Sequence, residues 1–93
     1  MSDIDETLKQ RGNRYGTFES NSDTAQKLKQ VLHNHPAWHC PLNSMHRESL
    51  EMIMHKIARI LNGDPNYDDS WVDIAGYAQL IVNNINKLQN NVK

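Results

Sequence analysis

One cysteine, Cys40, stands in 93 residues, so neither an internal disulfide framework nor a zinc module built on several thiolates is available, and a reducing compartment suits the chain. No stretch approaches the roughly eighteen apolar residues of a membrane-spanning helix. The opening MSDIDETLKQRG is polar and acidic, without the apolar segment of a secretion signal, which predicts a soluble, cytoplasmic protein with no membrane partner. Excess positive charge is missing too. Ten Lys and Arg against eleven Asp and Glu give a net charge of −1, which argues against a duplex nucleic acid partner and leaves room for a small anion. No run alternates as a strand does, and there is no internal repeat.

What is present is helical periodicity in a polar chain. Hydrophobic residues make up only 38% of the sequence, and a chain this short buries only about 60–65% of the surface its unfolded form exposes. A single helical domain over residues 1–93, sharing its core in a homo-oligomer, is therefore expected. Asp3, Asp5 and Glu6 suit the positive end of a helix dipole, Ile4 and Leu8 lie one turn apart, and Gly12 breaks the pattern, so a short first helix is predicted over residues 3–10. Residues 11–18 read as a Gly-punctuated basic and aromatic connection. Ser22 or Asn21 caps a second helix to about His33, with Ala25, Leu28, Val31 and Leu32 on one stripe. Pro36 and Pro41 make the following stretch irregular, anchored by Trp38. Ser44 caps a third helix over residues 45–62, closed by Asn62 and Gly63. A tight turn, Asp64-Pro-Asn-Tyr-Asp68, then leads into a fourth over residues 69–90 capped by Asp68. The predicted class is all-α: an antiparallel hairpin of two long helices with shorter N-terminal helices.

At 100° per residue, Leu50, Ile53, Met54, Ile57, Ile60 and Leu61 share one side of the third helix. Trp71, Ile74, Ala75, Ala78, Ile81, Val82, Ile85 and Leu88 share one side of the fourth, and these two stripes are expected to form the hairpin core. The opposite sides carry Met52, Tyr77 and Leu80 among charged residues, with Gly76 at a cost of about 1 kcal/mol in helix propensity, and are expected to be an oligomer interface.

Glu48-x-x-Glu51 followed by Asp69-x-x-x-Asp73 puts two carboxylate pairs on facing helices, an arrangement able to hold Mg²⁺ and a triphosphate. Here residues 48–80 resemble the MazG-like all-α nucleoside triphosphate pyrophosphohydrolases, whose motif is a Glu-x-x-Glu helix followed by a Glu-x-x-Asp helix. Ser70 stands where the second Glu of that motif belongs, with Asp69 beside it. The resemblance implies a Mg²⁺-dependent pyrophosphohydrolase with Glu48, Glu51, Asp69 and Asp73 as its catalytic, metal-holding set.

Arg11, Arg14, Lys56 and Arg59 offer cations for phosphate oxygens, and Tyr15, Phe18 and Trp38 offer rings for a base. Together they read as a nucleotide site needing no cofactor. The strings Arg11-Gly-Asn-Arg-Tyr-Gly-x-Phe, His55-Lys-Ile-Ala-Arg-Ile-Leu-Asn-Gly-Asp-Pro and Asp69-Ser-Trp-Val-Asp-Ile-Ala-Gly-Tyr-Ala-Gln-Leu resemble a family of small phage and prophage proteins of unknown function. That resemblance implies a setting in the bacterial host cell. With the altered acid motif, it leads to the expectation of a phage-type helical oligomer that sequesters a phosphorylated nucleotide without hydrolysis. A cyclic oligonucleotide signal of host antiphage defence is the class in view. Hydrolysis by the four acids, or a hairpin that only binds protein, are the alternatives. His33, His35, His39 and Cys40 have a spacing that fits no standard zinc site, and a loop packed around Trp38 is the expected arrangement.

Overall fold

The computed structural model describes residues 2–91, all of whose regular elements are helices. α1 (Ser2–Tyr15) starts on Asp3 and Asp5, with Thr7 Oγ1 donating back to the Asp3 carbonyl at 2.8 Å. It runs through Gly12, so the predicted connection over residues 11–18 is mostly helix and the break falls later, at Gly16 and Thr17. A helical glycine costs about 1 kcal/mol, and the docking of Tyr15 at the end of the helix outweighs it. α2 (Phe18–His33) is capped by Thr17, whose hydroxyl accepts from Ser20 N–H, rather than by Asn21 or Ser22. A short 3₁₀ turn, Pro36–Trp38, is capped by His35 Nδ1, which accepts from Ala37 N–H at 3.0 Å. Trp38 is buried there, as the sequence predicts.

α3 (Ser44–Asn62) begins one residue earlier than expected, on a reciprocal cap: Asn43 Oδ1 accepts from His46 N–H and His46 Nδ1 accepts from Asn43 N–H. α4 (Asp69–Asn91) follows a turn in which Asp64 Oδ1 accepts from Asn66 N–H, and the Asp68 carbonyl receives Val72 N–H at 2.9 Å.

α3 lies in the middle, with α2 along one side and α4 along the other, each antiparallel to it. Asn62 donates to Thr24 Oγ1 at one end of the α2 seam and Glu51 meets His33 at the other. Against α4, Ser49 Oγ donates to the Tyr77 carbonyl at 3.0 Å, and Lys56 Nζ lies 2.9 Å from Asp73 Oδ2. The buried residues along these seams are small or polar: Ala25, Ala58, Ser49, Ser70, Asn21 and Lys56. Small side chains let two helix axes come closest, and the crossings settle on them.

The large apolar residues are consequently not the hairpin core the sequence predicts. Among the described residues no large side chain is fully buried, and Leu61, Trp71, Val82, Ile85 and Leu88 are exposed. Taking 100° per residue, the α4 side that meets α3 (Ser70, Asp73, Ile74, Tyr77, Ile81, Asn84) is centred about 80° away from the centre of the apolar stripe. The α3 stripe is turned by a similar angle. Because the two helices are antiparallel, both turns lead to the same side of the layer.

Candidate functional site

The other side of the layer is closed at one end by the α1–α2 junction. Gly16 adopts φ +85°, the left-handed region that favours glycine, and its Cα lies against the backbone of Asn62. Gly63 faces the backbone of Arg14 and Tyr15 with no room for a Cβ, and Asp64 N–H donates to the Arg14 carbonyl at 2.9 Å. Asn21 Nδ2 donates to the Tyr15 carbonyl at 2.6 Å, and Asn62 Nδ2 reaches Thr24 Oγ1 at 3.0 Å. Two glycines and two asparagines thus clasp residues 14–16 to residues 62–64.

The clasp fixes Tyr15. Its hydroxyl donates to Asp69 Oδ2 at 2.7 Å, its ring meets Tyr67 edge-on at 5.7 Å, and the Arg59 guanidinium sits 4.9 Å from its centroid. Arg11 lies farther out on the same ring, at 6.0 Å. The hydrogen bond to Asp69, with burial and the neighbouring Tyr67 adding to it, pushes the Tyr15 hydroxyl from 10.0 up to about 12, so it remains a protonated donor at physiological pH.

Beside the ring opens a cavity of about 560 Å³, lined by Leu8, Arg11, Tyr15, Phe18, Asn21 and Arg59 together with the intervening glycines and Thr17. Its size is that of a small-molecule pocket, for which roughly 300–1,000 Å³ is usual. Among the described residues neither Arg11 nor Arg59 is ion-paired. Phe18 is 85% exposed at the rim. Two unpaired cations, a held ring and an exposed ring around one concavity can take a planar group with an anion attached.

The fold thus brings Arg11, Tyr15, Phe18 and Arg59 to one place. Arg14 stands outside the cavity lining, its guanidinium 5.1 Å from the Tyr67 ring centroid. Lys56 is buried against Asp73 in the α3–α4 seam, and Trp38 lies elsewhere, its ring 5.0 Å from that of His33. Tyr67 and the Tyr15 partnership of Asp69 escape sequence reasoning because they depend on contacts between distant segments, and Asn21 because its amide reads as a helix cap rather than as a donor to the Tyr15 carbonyl.

The four acids do not converge. Glu48 is exposed, Glu51 turns to His33 at 3.1 Å, Asp69 accepts from Tyr15 and Asp73 holds Lys56. Glu51 points about 150° away from the α4 seam at 100° per residue, because α3 directs that side to α2. Among the described residues no group of three His, Cys, Asp or Glu side chains could hold a metal ion, so these acids do not fit the Mg²⁺ site of the hydrolase alternative. His35 is occupied as a cap and Cys40 is exposed. Of the residues expected at an oligomer interface, Met52 and Tyr77 are half-buried and Leu80 is exposed.

The chain belongs to the DUF6378 family. This family is described as a domain of unknown function, and its profile covers residues 2–85. No curated protein and no solved structure matches the chain. The DUF6378 match takes in the α1–α2 junction, the clasp and all the cavity residues, together with the α3–α4 hairpin as far as Ile85.

His55 adds a pH-sensitive group to this DUF6378 domain. It is half-buried, and burial first, then the charges of Arg59, Lys29 and Lys56, lowers its pKa below the ordinary 6.5. A group whose folded pKa is lowered holds fewer protons than in the unfolded chain, so its contribution to stability begins to fall at about pH 6.5 and is lost as pH falls through the lowered folded value. Melting temperature should therefore drop on acidification from pH 7.5 to 5.5 by more in the wild type than in His55→Gln. An equal drop would show that His55 is not the group responsible.

Proposed function

We propose that the cavity beside Tyr15 captures a phosphorylated nucleotide and releases it unaltered. The observation that carries this reading is the convergence of unpaired Arg11 and Arg59 with the rings of Tyr15 and Phe18 on one concavity. In this reading the guanidiniums take phosphate oxygens and the rings take the base, and each charge-assisted contact contributes about 1.5–3 kcal/mol.

Sequestration is favoured over hydrolysis by the contents of the site. Its lining holds no carboxylate, Asp69 accepts a hydrogen bond from Tyr15, and the Tyr15 hydroxyl, pushed up to about 12, is a poor base or nucleophile. A cyclic oligonucleotide of host antiphage signalling fits a binder of this kind, and the resemblance of residues 11–18, 55–65 and 69–80 to small phage proteins supports that choice of ligand.

Calorimetry against cyclic and linear nucleotides in the presence of EDTA tests the reading. Binding should survive the chelator, the ligand should be recovered intact, and Arg59→Ala or Tyr15→Ala should weaken affinity by about tenfold or more. Absence of binding by every nucleotide, indifference to both substitutions, or Mg²⁺-dependent release of pyrophosphate would overturn it.

A further inference from the structure

The face opposite the Tyr15 cavity is apolar and exposed. Residues 74–86 of α4 contain no Asp, Glu, Lys or Arg, yet much of this stretch is exposed. Trp71, Val82, Ile85 and Leu88 are each between 41% and 54% exposed, and with Ala75 and Ala78 they recur every three or four residues along one side of the helix. The α3 stripe opens to the same side, and Leu61 at its end is 65% exposed. An apolar recess of about 270 Å³, lined by Leu42, Leu50, Ile53, Ala78 and Ile81 with His46 and Ser49, lies in this face and can accept a large side chain.

The surface area indicates how much is left uncovered. A folded monomer of 10.7 kDa is expected to expose about 5,500 Å² and to have a radius of gyration near 12 Å. This chain exposes 6878 Å², with a radius of 16.2 Å and extents of 57 × 27 × 25 Å. The excess over the whole elongated chain, the projecting α1 included, is roughly 1,400 Å² and leaves room for the ~800 Å² per partner of a standard stable interface.

We infer that a second copy of this chain covers the apolar face of α3 and α4, hairpin against hairpin about a two-fold axis. A charge-free face offers an unrelated partner little electrostatic selectivity, whereas an isologous contact needs only self-complementarity, here long apolar side chains beside Ala75, Ala78 and the recess. The pairing converts one layer of helices into two with a shared core. It leaves both Tyr15 cavities facing outward, and it sets the contact on the opposite side from Met52 and Leu80. The inference is independent of the nucleotide reading, because Arg59 and Asp69 lie on the other side of the layer.

Sedimentation equilibrium on the full chain decides it. The wild type should have at least twice the 10.7 kDa chain mass at micromolar concentration. The double variant Val82→Glu, Ile85→Glu should fall to the single-chain mass with its helical circular dichroism retained, since both positions are exposed in the lone chain. Leu80→Lys should keep the wild-type mass. A monomeric wild type, a double variant that stays associated, or dissociation by Leu80→Lys would each overturn the proposal. If the double variant loses its helical signal, Trp71→Lys and Leu88→Lys repeat the test at the two ends of the stripe, and retention of the wild-type mass by both would count against it.

Discussion

Asp73→Ala should destabilise the protein by about 2–3 kcal/mol, lowering its melting temperature by roughly 10–20 °C for a domain of this size. The Lys56 ammonium is carried into the α3–α4 seam on a side chain only 11% exposed, and Asp73 Oδ2, 2.9 Å away, is its salt-bridge partner. Removing one partner of a fully buried pair costs about 3–5 kcal/mol, and the figure is reduced here because Asp73 itself is 39% exposed. The two halves of the pair should therefore behave unequally. Lys56→Met leaves a carboxylate that water can reach and keeps the apolar stem, so its cost should be about 1 kcal/mol. Denaturant unfolding of both singles and the double measures the asymmetry. A Lys56→Met loss as large as that of Asp73→Ala would show that the seam does not depend on neutralising the ammonium. Millimolar Mg²⁺ should not shift the wild-type midpoint, because Asp73 is already engaged by Lys56 rather than available to a cation.

Gly16→Ala should cost about 3 kcal/mol and weaken nucleotide binding as well. At φ +85° an L-residue adds about 1–2 kcal/mol of backbone strain. The new Cβ would also lie 2.6 Å from the Asn62 carbonyl oxygen, an overpacking that adds about 1–3 kcal/mol. Relief requires the α1–α2 junction to separate from the end of α3, which carries Tyr15 away from Arg59. The contrast is with Gly12→Ala, only four residues away. A Cβ there meets nothing within 4 Å in a helical backbone, so this change should stabilise by about 0.5–1 kcal/mol. Thermal unfolding of the two variants side by side should move in opposite directions, and movement in the same direction would remove the clasp from the account.

The glycines also mark where sequence reading succeeds and stops. Periodicity and turn signals place the two long helices within a residue or two, Gly63 closing α3 as expected, although the α3 cap is Asn43 rather than Ser44. The same local logic misplaces the end of α1, where Gly12 looks like a stop and the decisive interaction is Tyr15 with Asp69, 54 residues away. Periodicity finds the apolar stripe of α4 but carries no information about which element covers it. The α3–α4 seam goes instead to Ser49 and Ser70, residues whose smallness matters only once two helices meet. At the site, Arg11, Tyr15, Phe18 and Arg59 are legible as cations and rings. Asn21 is not, because its amide reads as a helix cap until its donation to the Tyr15 carbonyl is seen.

The position of the clasp divides α1 mechanically. Residues 14–16 are fastened to the end of α3, whereas Ile4 and Leu8, 57% and 64% exposed, lie beyond the fastening on a helix that touches the body mainly near its last turn. Leu8 and Arg11 on α1 and Phe18 and Asn21 on α2 form opposite walls of the same cavity. The pocket therefore has one wall fastened to α3 through the clasp and one on the part of α1 that lies beyond it. Under the proposed nucleotide reading, the tilt of that helix sets the aperture through which a ligand would enter and leave.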